Sequence, residues 1–555
     1  MKRLIFIVCA SILMIGCATF SGGPAGGPVD TKGPILVHSS PKQSAKNSKL
    51  QKISLTFDEY IVLKNMANIV VSPPLNIQYS SNLKELRALI LDTLKENTTY
   101  TISFNDAIVD LNEGNVVKNL RLVFSTSEVI DSMYLEGKIL DALSLDAQAN
   151  IFVALYSESL DSFPFKNIPN YITKTGADGY FWVQNIRDQC YQIVAFEDKN
   201  FDMVLDPITE RLAYSSTCIK PKHLSTLPIR SDSVADSTLV VRRDTANILN
   251  LMMYQDRLPS AFLADAKFTH RGFIQLQFRY PIDKIKSEII VDGKKMTETQ
   301  YWNMAEDRKS ANLRWSDLSF NKMKLILFVD EYTDTTDLLL PNPSTQIKID
   351  TFKLSLTTNA NSAFLFTDTL RLHSSNPIAS FQNKKISVWA FVGFDSTKVS
   401  ATIQKTDPSN FNLLLPLHAE TSYKIHIEPA CFTDIYGRTN DTTLIKLICN
   451  AVDKYGSLSM QIANYKPSQS YLVQRMDEKN KVLEQYLLPK DGKLVLPYLL
   501  PGSYKFRIIE DANQNGRWDG GDFVQKKQAE KLWYYSKIIP VERDWVIEEK
   551  WSLTE

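Results

Sequence analysis

The feature that most constrains this 555-residue chain is a series of short segments in which polar and apolar residues alternate. Residues 52–59 and 98–104 both follow this pattern, and turn residues at 95–97 precede the second. Side chains that alternate with a period of two lie on opposite faces of a β-strand, one of which is buried. Strands of this kind recur about every 8–12 residues. We therefore predict an all-β fold built from tandem β-sandwiches.

Residues 34–128 are predicted to form the first of these sandwiches, and their motifs resemble those of a known domain type. The motifs occur in order along the chain as Phe57-Asp58-Glu59-Tyr60, Ser72-Pro73-Pro74, Asn97-Thr98-Thr99-Tyr100, Ala107-Ile108-Val109-Asp110 and Phe124-Ser125-Thr126. They are similar to the bacterial Ig-like domains of Bacteroidetes lipoproteins. That resemblance implies an Ig-like sandwich in an outer-membrane lipoprotein, and it implies little about activity.

A different module is predicted at residues 129–248. It contains a core strand at 151–156, a tight turn at 175–181 and a long apolar stretch from Cys190 to Asp198. This order resembles the small prealbumin-like sandwiches that are grouped with carboxypeptidase regulatory domains. Modules of that type are usually spacers or adhesion elements, so the resemblance implies a structural role.

The remaining chain repeats both kinds of module. Residues 249–358 and 359–451 each show a strand, a break and a second strand in the order of the first sandwich, which predicts two further Ig-like sandwiches. Residues 452–555 repeat the strand order of the 129–248 module and are predicted to form a second prealbumin-like sandwich. Self-similarity of this kind is typical of a modular stalk or platform.

The N-terminus has the features of a lipoprotein signal peptide. Lys2 and Arg3 precede an apolar run at 4–15, which is shorter than the roughly 20 residues that span a bilayer as a helix. Met14-Ile15-Gly16-Cys17 resembles the bacterial lipobox, in which signal peptidase II cuts before a cysteine that carries diacylglycerol. The resemblance implies that residues 1–16 are removed and that Cys17 carries diacylglycerol and a further acyl chain, such as palmitate. An ordinary cleaved secretory signal is the alternative.

The residues after the signal peptide indicate where the chain is held. Residues 17–33 are rich in Gly and Pro, which cannot build a core, so we predict a flexible tether. Ala18 follows the cysteine, and in lipoproteins of proteobacterial type a residue other than aspartate there favours sorting to the outer membrane. We therefore expect a lipid-anchored outer-membrane protein, on either the periplasmic face or the cell surface. The net charge of +1 gives no electrostatic footprint for nucleic acid.

Four of the six cysteines lie beyond the signal peptide and Cys17. Cys190 with Cys218, and Cys431 with Cys449, are candidate disulfides, because an oxidising compartment permits them and each pair lies inside one predicted domain. Four buried free thiols are the alternative.

Residues 511–522 resemble a calcium-binding EF-hand loop. Oxygen-bearing side chains stand at the spacing of its ligands, namely Asp511, Asn513, Asn515, Asp519 and Asp522. A hard cation needs six or more oxygen ligands, and a glycine at the sixth position permits the necessary bend. The spacing predicts a calcium site, which Asp522 in place of the usual Glu would weaken. A polar turn held by Asx hydrogen bonds is the alternative.

The sequence contains no clear catalytic motif. The six His do not form HExxH, and the G-x-S-x-G, P-loop and paired-Cys zinc spacings do not occur. We therefore expect a non-enzymatic accessory subunit of an outer-membrane protein complex, for instance one that assembles or exports outer-membrane proteins. A glycan-binding or adhesion lipoprotein is the second hypothesis. A hydrolase with an unrecognised carboxylate pair is the third.

Overall fold

The structure is a computed structural model that describes most of the chain. It covers residues 30–157, 167–206, 209–224, 248–256, 263–270, 272–279, 281–282, 284–291, 293–297, 299–305, 307–316, 322–329, 332–339, 352–356 and 364–553. The predicted signal peptide, Cys17 and most of the tether lie outside the described residues. The all-β prediction is confirmed, since the described residues form β-strands and three short 3₁₀ helices, Met66–Asn68, Asn383–Lys385 and Val452–Lys454, and no α-helix.

The chain forms two compact units. Unit 1 runs to Leu140 and includes Asp146–Leu205 and Ala213–Leu251. Unit 2 consists of Asp141–Leu145, Asp206–Leu212 and the chain from Met252 onward. Two short segments of the predicted 129–248 module therefore belong to unit 2.

Unit 1 begins with the Ig-like sandwich. Its strands are β1 Leu36–Ser40, β2 Lys52–Phe57, β3 Ile61–Leu63, β4 Val70–Ser72, β5 Ile77–Asn82, β6 Glu85–Ile90, β7 Thr99–Ser103, β8 Ile108–Asp110 and β9 Arg121–Ser125. A four-stranded sheet in the order β1-β2-β6-β5 packs against a three-stranded sheet β4-β7-β9, and β3 pairs with β8.

The predicted alternation explains the core of this sandwich. In β2, Ile53, Leu55 and Phe57 are buried, while the residues between them are half-buried or exposed. These side chains belong to one cluster with Tyr100 and Phe124 of the opposite sheet, whose rings stack at a centroid distance of 5.4 Å. Because burial of each large apolar side chain contributes about 1.5–3 kcal/mol, this cluster is the main source of the domain's stability.

Eight strands follow the Ig-like sandwich. They are β10 Met133–Asp141, β11 Phe152–Tyr156, β12 Tyr171–Lys174, β13 Tyr180–Ile186, β14 Gln192–Phe196, β15 Arg211–Tyr214, β16 Lys222–His223 and β17 Leu249–Gln255. β11 pairs with β12 and β14, and β10 pairs with β13 and β16. All five residues of β11 are buried, as predicted for a core strand.

Strand β7 departs from the predicted alternation. Thr99, Tyr100, Thr101 and Ile102 are all buried. One face of the strand packs in the core of the Ig-like sandwich, and the other lies near β13 of the next domain in unit 1. There the Oγ1 of Thr99 accepts a hydrogen bond from the backbone N–H of Asp131 at 3.0 Å. The strand is therefore covered on both sides, by a neighbour that the local pattern does not reveal.

The described part of unit 2 contains three further sandwiches, each with its own cluster of buried apolar side chains. The first has β18 Leu263–His270, β19 Phe273–Phe278, β20 Ile285–Val291, β21 Lys294–Lys295, β22 Tyr301–Met304, β23 Ser310–Arg314, β24 Lys322–Val329 and β25 Tyr332–Leu339. Its two sheets have the orders β18-β19-β23-β22 and β21-β20-β24-β25.

The second sandwich of unit 2 has ten strands. They are β26 Leu354–Leu356, β27 Leu370–Ser374, β28 Ile378–Phe381, β29 Ile386–Val392, β30 Asp395–Val399, β31 Thr402–Lys405, β32 Asn410–Leu414, β33 Ser422–Ile427, β34 Phe432–Asp434 and β35 Thr443–Ile448. They form the sheets β26-β27-β32-β31 and β30-β29-β33-β35 and the pair β28-β34.

The third sandwich of unit 2 ends the described chain. Its strands are β36 Gly456–Ala463, β37 Tyr471–Met476, β38 Val482–Leu487, β39 Lys493–Leu499, β40 Gly502–Glu510, β41 Leu532–Tyr534, β42 Ile539–Val541 and β43 Val546–Ser552. One sheet has the order β39-β36-β43, with β36 and β43 parallel, and the other has β38-β37-β40-β41, with β42 also on β40.

Strand pairing moves two of the predicted domain boundaries. β17 pairs with β15 through Arg211 and Gln255, so residues 249–255 belong with the strands of the preceding module. β26 pairs with β27, so residues 354–356 belong with the sandwich that follows position 358. In both cases the pairing partner lies on the other side of the predicted boundary, and the residues of the strand itself do not indicate it.

The Ig-like sandwiches at 34–128 and 359–451 share a detail that supports the predicted repeat. In each, a two-stranded pair, β3-β8 or β28-β34, ends in a buried aspartate, Asp110 or Asp434. Asp110 accepts hydrogen bonds from the N–H groups of Gly114 and Asn115 at 2.7 and 2.9 Å, and Asp434 accepts one from Arg438 at 2.8 Å. Each carboxylate therefore organises the turn that follows it.

Candidate functional site

The most distinctive polar site lies in residues 511–530, named here the acidic loop, which connect β40 to β41. Asp511 directly follows β40 and is only 2 % exposed. Its two carboxylate oxygens accept hydrogen bonds from the backbone N–H groups of Asn515 and Gly516, both at 3.0 Å. Gly516 has a φ of +79°, a left-handed conformation that glycine adopts without strain. Asp511 therefore fixes the bend that the spacing predicted.

Asp519 is the second centre of the acidic loop and is 6 % exposed. Its Oδ2 accepts hydrogen bonds from the side-chain amides of Asn513 and Asn515, at 2.6 and 2.5 Å. Its Oδ1 forms an ion pair with Arg517 at 3.1 Å. The structure thus links Asp519 directly to two of the predicted ligand residues, and Asn515 also contacts Asp511 through its backbone.

Asp522, the last residue of the predicted ligand set, makes its own hydrogen bonds in the turn that follows. Its Oδ1 accepts the backbone N–H of Gln525 at 2.8 Å, and its backbone forms two hydrogen bonds with Lys527. Asp522 therefore belongs to a separate tight turn. The EF-hand spacing assumes that a helix follows the loop, whereas here the chain turns at once toward β41.

Glu530, which the sequence reasoning missed, closes the acidic loop instead. Its Oε1 accepts the backbone N–H of Ala512 at 2.8 Å, and its Oε2 accepts that of Asp519 at 3.0 Å. The backbone N–H of Glu530 also donates to the carbonyl of Asp519 at 3.0 Å. Glu530 lies outside the twelve-residue spacing of an EF-hand loop, so that spacing could not predict its role. The sequence shows only an acidic residue shortly before a strand.

Burial and neighbouring acids raise the pKa of Glu530, the residue that closes this loop. Burial, together with smaller contributions from the carboxylates of Asp519 and Asp511, raises the pKa of Glu530 to about 7. The N–H groups of Asp519 and Ala512 act in the opposite direction but do not outweigh the burial. Burial therefore disfavours the charged form of Glu530, and a proton or a cation at this carboxylate would offset that cost.

As the structure stands, the acidic loop is an Asx-type turn. The amide N–H groups of Asn513 and Asn515, rather than their oxygens, point to Asp519. Within the described residues, no three His, Cys, Asp or Glu side chains are grouped so that they could hold a metal ion. Calcium binding would require both amides to rotate so that their oxygens face inward. It stays a prediction.

We expect calcium to stabilise this domain if the prediction is right. At about 1 mM Ca²⁺ and a dissociation constant of roughly 10⁻⁴ M, the gain is about 1.4 kcal/mol. Calorimetry of the chain with and without Ca²⁺ measures it. Asp511→Asn retains an acceptor for the turn but removes a charged ligand, so the calcium-dependent gain in stability should disappear. The control variant Asp198→Asn should show the same calcium-dependent gain as the unmodified chain. An unchanged melting temperature for the unmodified chain would leave the loop as a turn only.

The pH dependence of stability gives a second expectation. Because the pKa of Glu530 is about 7 in the folded chain and about 4.5 in the unfolded chain, the folded state binds the proton more tightly. The stabilisation is complete below pH 4.5 and is lost as the pH rises to 7. We expect a loss of about 1 kcal/mol after allowance for solvent screening. Urea unfolding at pH 5 and pH 8 measures it, and Glu530→Gln should reduce the difference by about that amount.

The equivalent loop of the earlier module has the same hydrogen-bond pattern. The carboxylate of Asp198 accepts hydrogen bonds from the backbone N–H groups of Asp202 and Met203 at 3.2 and 3.1 Å. Asp511 likewise accepts hydrogen bonds from the backbone N–H groups of the residues four and five positions after it. Met203 has a φ of +61°, in the position that Gly516 occupies in the other copy. Agreement at this level of detail supports the predicted internal repeat.

The four remaining cysteines fall into two kinds. Cys190 and Cys218 form a disulfide with a Cα–Cα distance of 5.7 Å. Cys431 and Cys449, the second candidate pair, are free and buried, which corrects that part of the expectation. Both pack in the same apolar cluster, and the thiol of Cys431 donates to the carbonyl of Gln382 at 3.4 Å. Burial raises the pKa of Cys449 to about 11, so this thiol is not a reactive nucleophile.

Comparison with known proteins identifies one domain of the chain. Residues 30–126 match the family described as bacterial Ig-like domain. This agrees with the resemblance of the 34–128 motifs and with the sandwich that the structure shows there. No curated protein matches the chain.

Several solved structures are similar over longer stretches. A native α-2-macroglobulin fragment from Escherichia coli is 12% identical, with a TM-score of 0.16, over 45% of this chain and 93% of its own. BcpA, the major pilin subunit of Bacillus cereus, is 11% identical, with a TM-score of 0.13, over 76% of this chain and 98% of its own. The surface layer protein SbsC is 9% identical, with a TM-score of 0.16, over 91% of this chain and 67% of its own. These scores are too low to carry an argument about function.

No helix within the described residues is long and apolar enough to cross a membrane.

Proposed function

We propose that the chain is a lipid-anchored outer-membrane lipoprotein that serves as a structural or accessory subunit of an outer-membrane protein complex. The lipobox-like Met14-Ile15-Gly16-Cys17 and the Gly/Pro-rich tether support the anchor. The resemblance of 34–128 to Bacteroidetes Ig-like lipoproteins supports the location. The proposed complex is one that assembles or exports outer-membrane proteins.

The observation that carries the structural role is the buried junction inside unit 1. Within it, the Oγ of Ser72 accepts the backbone N–H of Ile172 at 3.1 Å in a buried environment. The Arg121 guanidinium lies 5.2 Å from the centre of the Trp182 ring. Lys174 donates to the carbonyl of Ala67 at 2.8 Å. Because such contacts must break before the two domains can bend, they support a restrained junction between these two sandwiches.

Unit 2 has a comparable junction between its last two sandwiches. Tyr498 packs its ring against Phe366 and Tyr455, with centroid distances of 5.0 and 6.1 Å. Phe366 belongs to the 359–451 sandwich, and the other two rings belong to the 452–555 sandwich. Aromatic pairs of this kind contribute about 0.5–1.5 kcal/mol beyond their burial. A stiff joint presents surfaces at a fixed spacing, which suits a subunit that contacts several sites on a partner.

Calcium is proposed as a structural cofactor of the acidic loop, with Asp511, Asn513, Asn515 and Asp519 as ligands and Glu530 in the place first assigned to Asp522. The loop's role would be to stiffen the end of β40. Covalent diacylglycerol and acyl chains on Cys17 are the other non-protein groups of the proposal.

Purification from native membranes tests the proposed function. The full chain with a C-terminal affinity tag is extracted in mild detergent, and the co-purifying proteins are quantified. We expect integral outer-membrane proteins in a fixed ratio to the chain. A chain that purifies alone and binds a glycan array would instead support the glycan-binding or adhesion alternative. The same preparation with Cys17→Ser is the control for non-specific capture of membrane fragments.

A further inference from the structure

One sheet face of the 359–451 sandwich carries exposed apolar side chains that the fold does not require. In the sheet β30-β29-β33-β35, the inward side chains, such as Val388, Tyr423 and Ile425, fill the core of the sandwich. The outward side chains include Trp389, which is 41% exposed, and Ile448, which is 61% exposed. This outward side is named here the basic face. Its apolar residues make no contribution to the core, so their exposure calls for another explanation.

Three lysines cross the basic face in a single row. Lys398 stands opposite Trp389, Trp389 opposite Lys424, and Lys424 opposite Lys446. With strands about 4.8 Å apart, the row spans about 14 Å. All three lysines are exposed. The outward positions of the four strands include no Asp or Glu, so the charged side chains at these positions are all lysines. The exposed Asp395 lies at the hairpin end opposite Val392, in the register of the inward side.

Aromatic residues continue from this row to the tip of a hairpin. Phe391 lies next to Trp389 on the same face, and Phe394, in the turn that joins β29 to β30, is fully exposed. Val392 beside it is also exposed. The turn is tight, with Gly393 at a φ of +60°. The hairpin therefore presents an apolar tip beside a basic row with an exposed indole.

We propose that the basic face docks on an anionic lipid surface. Lysines beside exposed aromatic rings match the two layers of a membrane interface. The lysines would contact the phosphate groups, and the rings would contact the part of the acyl chains that lies just beneath the phosphates. Trp and other aromatic rings are favoured at that depth, and long lysine side chains reach the phosphates. Because no acid stands at an outward strand position, the row of lysines meets an anionic surface without a neighbouring negative charge, and Asp395 at the hairpin end is the acid beside the contact. This contact does not involve the lipid on Cys17. In the anchored chain, the lipid would hold the basic face at a high effective concentration near the membrane, so the two attachments would strengthen each other.

Vesicle sedimentation tests the docking. The full chain with Cys17→Ser is mixed with phosphatidylcholine vesicles with or without phosphatidylglycerol. We expect stronger binding to the anionic vesicles, which decreases as salt is raised. Because each lysine at an anionic surface contributes about fivefold in affinity, Lys424→Glu with Lys446→Glu should weaken binding at least about 25-fold. The N-terminal apolar run is common to all variants, so differences between variants report on the face.

A matched control uses two exposed lysines on a different sheet of unit 2. Lys493 and Lys550 both lie opposite Gln461, on a face that includes Glu548. Replacing both with Glu changes the net charge equally and should leave the anionic-vesicle binding unchanged. Since all four positions are exposed, unchanged melting temperatures are expected for both double variants.

A second readout concerns the aromatic residues. Trp389→Ser with Phe394→Ser should weaken binding to anionic vesicles and remove the part of the tryptophan emission that shifts to the blue on binding. Equal binding of the Lys424→Glu, Lys446→Glu variant and its control would overturn the proposal. So would equal binding to neutral and anionic vesicles. Capture of an acidic protein by a chain that fails to bind vesicles would assign the face to a protein partner instead, and would also overturn it.

Discussion

Replacing Cys17 with serine is expected to release the chain from the membrane pellet. Serine lacks the thiol that carries diacylglycerol, and each acyl CH₂ that leaves the bilayer costs about 0.8 kcal/mol. The loss of the acylated anchor therefore changes retention from effectively permanent to weak. Membrane fractionation followed by a wash in about 1 M salt measures the effect, because that salt shortens the screening length to about 3 Å and weakens any contact by the basic face.

Cys9→Ser is the matched control for this experiment. Cys9 lies in the apolar run of the signal peptide and is removed with it in the proposed maturation. That variant should remain in the salt-washed pellet in the same amount as the unmodified chain. A Cys17→Ser chain that resists the salt wash equally well would contradict the lipid anchor and leave the apolar run itself as the attachment.

Removing the disulfide is expected to have the second largest effect. Cys190 and Cys218 are 28 residues apart in sequence, and cross-linking a loop of that size restricts the unfolded chain by about 3 kcal/mol. Cys190→Ala with Cys218→Ala should therefore lower the free energy of unfolding of unit 1 by about that amount. Chemical unfolding followed with and without a thiol reductant measures it.

The free cysteines supply the control. Cys431→Ala with Cys449→Ala removes two buried sulfur atoms but no cross-link, so its cost should not depend on reductant. In the unmodified chain, reductant should lower stability by about 3 kcal/mol, and in the Cys190→Ala, Cys218→Ala variant it should have no effect. A reductant effect that persists in that variant would show that another pair of cysteines forms the bond.

Local pattern was sufficient to predict the class of fold and many of the strands. The alternation at 52–59 corresponds to β2, and the apolar run at 151–156 corresponds to β11. The β2 prediction succeeded because the strand's own side chains decide which face is buried. The β11 prediction succeeded because a continuous apolar run is typical of a strand buried on both faces. The pattern failed at β7, which is covered on both faces, and at β17 and β26, whose pairing partners lie across a predicted domain boundary. Those outcomes depend on neighbours rather than on the strand itself.

The acidic loop shows the same limit at the level of a site. Spacing located Asp511, Asn513, Asn515 and Asp519, because a glycine-permitted bend brings residues close that are near in sequence. It did not indicate the hydrogen bond of Asp522 with Gln525 or that of Glu530 with Asp519, because the strand β41 that follows determines where the loop closes. Likewise, the cysteine pairs looked equivalent in the sequence, and only one of them is bonded.

The central claim is that the anchored chain is a subunit of an outer-membrane complex. The most direct measurement is the native mass of the chain after extraction in mild detergent from the membranes that contain it. The proposed function predicts a mass that exceeds the lipidated chain by at least one integral outer-membrane protein, in a constant ratio across preparations. The mass of a single lipidated chain, with no bound protein, would contradict it.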